Sequence, residues 1–238
     1  LMGVHAQYLS DVAMVTTGKS GPRPPADLEI RFRYNQDFES IYAMVPGTMA
    51  LLLMEIPAIL MALAVVREKE LGSITNLYVT PVTRLEFLLG KQLPYIAVSM
   101  ANFSILLFMA VLVFGVPLKG SFPTLVIGAL LYVTATTGMG MLISSFTRSQ
   151  IAALFGTAIL TILPASQFSG MLVPVASLSG LPVIFGRTFP AMYFLRVSVG
   201  TFTKGLGFSD VTPSLIALAI FPPVLIGLSL LFLRKQDV

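Results

Sequence analysis

The chain has 238 residues, 55% of them hydrophobic and only 11% charged, with no cysteine, one histidine and a net charge of +4. Soluble domains average roughly 25% charged residues, so this composition, together with apolar runs longer than about 18 residues, puts the chain in the membrane class. The absence of cysteine excludes disulfides, thiol catalysis and thiolate metal sites. His5 alone cannot build an imidazole metal site, and the basic residues are too scattered to form a nucleic-acid stripe.

Residues 1–41 are polar and read as extramembrane. Leu1 to Met14 is compatible with a helix. Thr16 to Ala26, with Gly18, Gly21, Pro22, Pro24 and Pro25, is expected to be a loop. Glu29 to Tyr34 alternates, with Ile30, Phe32 and Tyr34 on one face and Arg31 and Arg33 on the other, as a half-buried strand does. Gly18-Lys19-Ser20 has the end of a phosphate loop. The glycine that the pattern needs five positions earlier is Ala13, and Gly-Pro-Arg-Pro-Pro cannot open the helix that should come next, so an exposed loop is expected. The chain begins at Leu1 with no charged leader or cleavage-site pattern. No signal peptide is expected, and the start suits a piece of a longer protein.

Five apolar segments come next, at about 42–66, 92–114, 122–146, 151–170 and 211–233. Each has about the 20 residues that cross a 30 Å hydrocarbon layer as a helix, the form in which a single segment satisfies its own backbone in lipid. Between the first two lies the long polar segment 67–91, with four basic and three acidic residues. It reads as a short helix, a break at Thr80-Pro81 and a second helix opened by a capping box of Thr83 and Glu86. In the first of these, Leu71, Ile74, Leu77 and Tyr78 share one face, as in an amphipathic helix lying on a membrane surface.

Lys and Arg set the orientation. One side of the alternating spans holds seven basic residues in 34 positions, the other eight in 88. The denser side, with 67–91, 147–150 and the C-terminus, is expected in the cytoplasm, and residues 1–41 outside. An odd number of spans then implies a further span upstream. The segment 171–210 is too apolar for a solvated loop and is broken by Pro174, Pro182 and Pro190. It reads as outer re-entrant or interfacial helices, acting as a lid or as packing, with a helix near 189–202 carrying Arg196.

Glu55 is the one charge inside a span. A carboxylate there costs about 2.5–3.5 kcal/mol on insertion scales. It either contacts substrate or a proton in a pathway, or it is protonated or hydrogen-bonded to Asn102, Ser99 or Ser104. Asn102, Thr134, Thr136, Thr137, Ser166 and Gln167 read first as helix–helix contacts, and Gly138 with Gly140 permits close helix approach. Arg148 fits a cytoplasmic anchor, and Arg187 and Arg196 fit snorkelling side chains or contacts to lipid phosphates. No catalytic or metal constellation is visible.

Several stretches together resemble the ABC-2 type permeases, the membrane halves of bacterial ABC exporters. They are Glu68 to Ser73, Thr80 to Glu86 with Gly90-Lys91, Val45-Pro46-Gly47, Gly140 to Gln150, and Ser169 to Pro174. The resemblance runs from the family's second helix to the C-terminus, with residues 1–41 similar to the end of an extracytoplasmic domain. It implies an all-α polytopic membrane protein, an ABC-2 type transmembrane domain with five spans present and the first missing. It also implies a cytoplasmic coupling region carried by Glu68, Glu70, Gly72, Thr80, Pro81, Arg84 and Glu86. Glu55 and Asn102 are the candidate pathway residues, and neither a catalytic nor a metal site is expected. No cofactor is expected in the chain itself. ATP and Mg would sit on a partner ATPase, either a separate subunit or a fused domain, as in relatives of the ribosome-associated ATPase type. A second permease half would complete a homo- or heterodimer among membrane lipids, in the bacterial inner membrane with the C-terminus cytoplasmic and no direct nucleic-acid contact. Two other readings compete: a proton-driven secondary transporter using Glu55, and a membrane anchor for a fused ribosome-associated ATPase.

Overall fold

A computed structural model describes Val12 and residues 41–72, 83–171 and 180–232. The chain divides into two compact units, 1–38 and 39–238. In the first only Val12 is described, so the helix, loop and strand expected there lie outside the described residues. The second unit holds every candidate membrane span among the described residues.

From residue 41 on, the described residues form seven α-helices in chain order: α1 Ile41–Glu70, α2 Arg84–Phe108, α3 Phe122–Phe146, α4 Gln150–Phe168, α5 Leu181–Thr188, α6 Pro190–Val199 and α7 Phe208–Phe232. No strand occurs among the described residues. Among the described residues five helices are long and apolar enough to cross a membrane: α1, α3, α4, α7, and α2 with the single π-helical turn Met109–Val113 that continues it. They overlap the five apolar segments of the sequence.

α1 has 30 residues and so is about 45 Å long. It exceeds the hydrocarbon thickness and carries its charged end beyond it. The sequence pattern suggested a separate surface helix here, and the structure corrects its beginning. Arg67, Glu68, Lys69 and Glu70 are the last turn of α1, and Leu71 lies in the turn that ends it. Gly72 closes the helix at φ 71°, the left-handed position that glycine fills without steric cost, and its N–H donates to the Lys69 carbonyl at 3.2 Å. Ile74, Leu77 and Tyr78 lie outside the described residues. α2 opens with the expected capping box: the Glu86 N–H donates to Thr83 Oγ1 at 3.3 Å, and the Thr83 N–H donates to Glu86 Oε2 at 2.8 Å.

α1 and α3 form the centre. Within their membrane-crossing windows 61% and 56% of residues are buried, against 17% for α2, 22% for α4 and 28% for α7, whose outer faces carry exposed leucine, isoleucine and phenylalanine. Without water to drive apolar packing, helices in lipid associate where small residues let their backbones approach. Gly140 of α3 is such a point, because a Cβ there would lie 2.0 Å from the Ala58 carbonyl oxygen of α1. On α4 the buried residues are Ala153, Thr157, Thr161 and Ala165, one every four positions, which lays a narrow stripe against α1. Gly138 similarly meets Leu225 of α7.

Between α4 and α7, α6 is part of the core. Phe194 of α6 is fully buried and stacks on Tyr132 of α3, with centroids 4.4 Å apart and planes 9° apart. The Tyr132 hydroxyl donates to the Ala50 carbonyl at 2.9 Å, and the Ser198 hydroxyl to the Pro46 carbonyl at 3.2 Å, fixing α6 to α3 and α1. Helical structure continues past Val199 through a π-helical turn, Gly200–Lys204, and Arg196 stays on the exposed side.

Gly140→Ala should lower the stability of the detergent-solubilised protein by about 3 kcal/mol, the upper end of the usual cost of overpacking. Gly156→Ala, where a Cβ meets nothing within 4 Å, should leave it unchanged. Thermal unfolding checks both, and equal melting temperatures would rule out backbone contact at Gly140.

Candidate coupling site

A helix leaves its first four N–H and last four C=O groups without intrahelical partners, and its dipole favours anions at the N-terminus and cations at the C-terminus. At one end of the bundle the C-termini of α1 and α3 meet the N-termini of α2 and α4. The last turn of α1 supplies a matched charge to each of its neighbours there.

Successive helical residues point about 100° apart, so Glu68, Lys69 and Glu70 face three directions. Glu68 pairs with Lys91 of α2, Oε1 to Nζ 2.7 Å, and Lys91 also reaches the Ala64 carbonyl at 3.4 Å. Lys69 donates to two carbonyls at the end of α3, Ser144 at 2.6 Å and Thr147 at 3.3 Å. Glu70 accepts from the Gln150 N–H, the first amide of α4, at 2.8 Å, and its second oxygen accepts from the Gln150 side-chain amide. Ser149 caps the same helix by accepting from the Ala152 N–H at 3.2 Å. One tripeptide therefore ties α1 to α2, α3 and α4.

Each polar tie rests on an apolar layer. Met61, Val65, Leu88 and Met141 are buried beneath the Glu68–Lys91 pair, and Ala62, Val66 and Ala153 beneath Glu70 and Gln150. Deeper, the Gln92 side chain of α2, 1% exposed, donates to the Thr134 carbonyl and to Thr137 Oγ1, both at 2.9 Å. Thr137 is thus a helix–helix contact, with Gln92 as the partner that sequence reasoning missed.

Of the residues expected to couple, Glu68 and Glu70 are drawn into this clamp, Gly72 ends α1 and Glu86 caps α2. Arg84 is the first residue of α2. Thr80 and Pro81 lie outside the described residues. Sequence reasoning did not single out Lys69, Lys91 or Gln150. The signal for Lys69 and Glu70 was present, because a cation and an anion stood where a helix end and a helix start would need them.

Glu55 and Asn102 are not brought together by any hydrogen bond. Lys91 reaches Ala64 and Glu68, and eleven positions from that level along each antiparallel helix put Glu55 and Asn102 at about the same depth. Their faces differ. The α1 stripe meeting α2 runs through Met61, Val65 and Glu68, whereas Glu55 lies seven positions before Ala62, on the stripe that meets Ala153 of α4. Of the alternatives for Glu55, the hydrogen bond to Asn102, Ser99 or Ser104 is therefore not formed, and the others stay open. Glu55 is half-buried with no partner among the described residues, Asn102 Nδ2 and Ser99 Oγ are buried without partners, and Ser104 donates to its own helix at the Met100 carbonyl.

The bundle and its charged clamp define a multi-pass membrane protein. A family model described as "ABC-2 family transporter protein" matches residues 8–231, and the chain belongs to that family. It is 32% identical over 182 residues to the "Probable multidrug ABC transporter permease YbhS" of Escherichia coli K12, covering 76% of this chain and 48% of that one. It is 28% identical over 229 residues to the "Inner membrane transport permease YhhJ" of the same strain, covering 94% of this chain and 60% of that one. The "ABC transporter G family member 20" of Dictyostelium discoideum is 22% identical over 205 residues, 85% of this chain and 28% of that one. The chain thus spans about half the length of these bacterial relatives. No solved structure matches it.

Lys91 and Glu68 are 22% and 32% exposed, so their pairing should be worth about 1 kcal/mol. Glu68→Lys should lower the melting temperature, and adding Lys91→Glu should recover most of the loss. A double-mutant cycle with no interaction between the two changes would overturn the pairing.

Proposed function

We propose that this chain is the membrane-spanning part of an ATP-driven exporter that carries substrate outward across a bacterial inner membrane while a partner ATPase hydrolyses ATP. The carrying observation is the clamp. Four membrane-crossing helices are joined at one end by adjacent charged residues, so a push on the segment between α1 and α2 is delivered to all four. Family membership and the names of the relatives support the reading. The clamp end is assigned to the cytoplasm, with the C-terminus, and the α5–α6 end to the outside. A second permease chain completes the pathway. Glu55, half-buried at mid-span, and Asn102, both with side chains unpaired among the described residues, are assigned to that pathway.

The chain has no cysteine of its own, so single introduced cysteines report sidedness without background. A membrane-impermeant maleimide should label Lys119→Cys in intact cells and Arg148→Cys only after permeabilisation; both positions are exposed. The reverse pattern would invert the topology and sink the proposal. In the assembled transporter, Glu68→Ala with Glu70→Ala should leave ATP hydrolysis within about twofold while efflux of a fluorescent drug panel falls at least about tenfold, a loss of roughly 1.4 kcal/mol of coupling. Efflux and hydrolysis falling together would argue against a coupling role.

A further inference from the structure

At the end of the bundle opposite the clamp, a groove of about 490 Å³ opens between the end of α4, α6 with its π-helical turn, and the start of α7. That volume is within the range of small-ligand sites. Its polar lining is specific. Arg196 and Lys204 bring two cations and Asp210 one anion. One Asp210 oxygen accepts from the Gly207 N–H at 2.9 Å and so is engaged at the start of α7. The Arg196 side chain makes no hydrogen bond or ion pair among the described residues. Ser169 and Ser214, on opposite walls, offer hydroxyls that likewise bond to nothing else among them. Arg196 and the two serine hydroxyls leave several donors unspent among the described residues, which suits an anion rich in acceptor oxygens. Arg in particular presents paired donors to phosphate.

The depth and the remaining walls narrow the class. α4 ends at Phe168 and α7 begins at Phe208, so the groove is level with the point where two spans leave the hydrocarbon. That is the level of lipid phosphates. Leu195, Val199, Leu206 and Val211 complete the lining with apolar surface that free phosphate would leave unused. We propose that this groove is a binding site for the phosphate group of a phospholipid, held by Arg196 and the Ser169 and Ser214 hydroxyls beside Lys204, with the start of the lipid's acyl chains against the apolar wall.

The test is native mass spectrometry of the intact protein released from detergent after titration with phosphatidylglycerol. Wild type should retain one lipid in preference to further ones. Arg196→Gln with Lys204→Gln should weaken that first binding about tenfold or more, as expected for loss of charge-assisted hydrogen bonds. Arg187→Gln, an exposed arginine outside the groove, should not change it, and Arg196→Lys should keep part of it. Both controls separate loss of the site from loss of the fold. Equal retention by wild type and the double variant would overturn the site. Displacement of the lipid by an equal concentration of inorganic phosphate would overturn the lipid as its source. The readout needs neither transport nor ATP hydrolysis, so it stands or falls apart from the exporter reading.

Discussion

A helix that stops at the edge of a bilayer leaves carbonyls or amides unsatisfied, close to a medium that offers no hydrogen bonds. In this protein the last turn of α1 meets that constraint for its neighbours. Lys69 satisfies the end of α3, Glu70 the start of α4, and Glu68 holds Lys91 on the second turn of α2. The three ties are made by adjacent residues, so the relative heights of the four helices are set by the backbone of one turn. The apolar layers beneath, around Met61 with Leu88 and Ala62 with Ala153, set the spacing.

The opposite end is held differently. There α6 fills the space among α1, α3 and α7, with Phe194 on Tyr132 and hydroxyl bonds into α1 carbonyls. Gly120 donates to the Thr201 carbonyl at 2.8 Å, which ties the α2–α3 connection to the turn after α6. Charge organises one end of the bundle and shape organises the other.

Much of this was legible in the residues. Run length located the five long helices, Thr83 and Glu86 announced the start of α2, and Gly140 marked a close approach. What failed did so where a neighbour distant in sequence decides. Glu, Lys and Arg are good helix formers, so α1 continues through its charged turn, and the ends of α3 and α4 reward it for doing so. The apolar content of 171–210 pointed to short helices, one of them near 189–202, and α6 with its π-helical turn is that helix; Pro190 opens it, where a missing N–H costs nothing. Glu55 and Asn102 matched in polarity and depth, but α1 turns the carboxylate toward the α4 side.

The contact between Gly140 and Ala58 falls one residue after Pro57, where α1 lacks the amide that would bond the Leu53 carbonyl. The tightest crossing in the bundle therefore coincides with the place where its central helix bends most easily. From that crossing, Glu68 is about 15 Å away in one direction and Pro46 about 18 Å in the other. The two act as arms of nearly equal length about a fulcrum. Because the helix bends most easily at that same point, either arm can swing away from α3 while the other stays packed, so the two ends of the bundle are free to open separately.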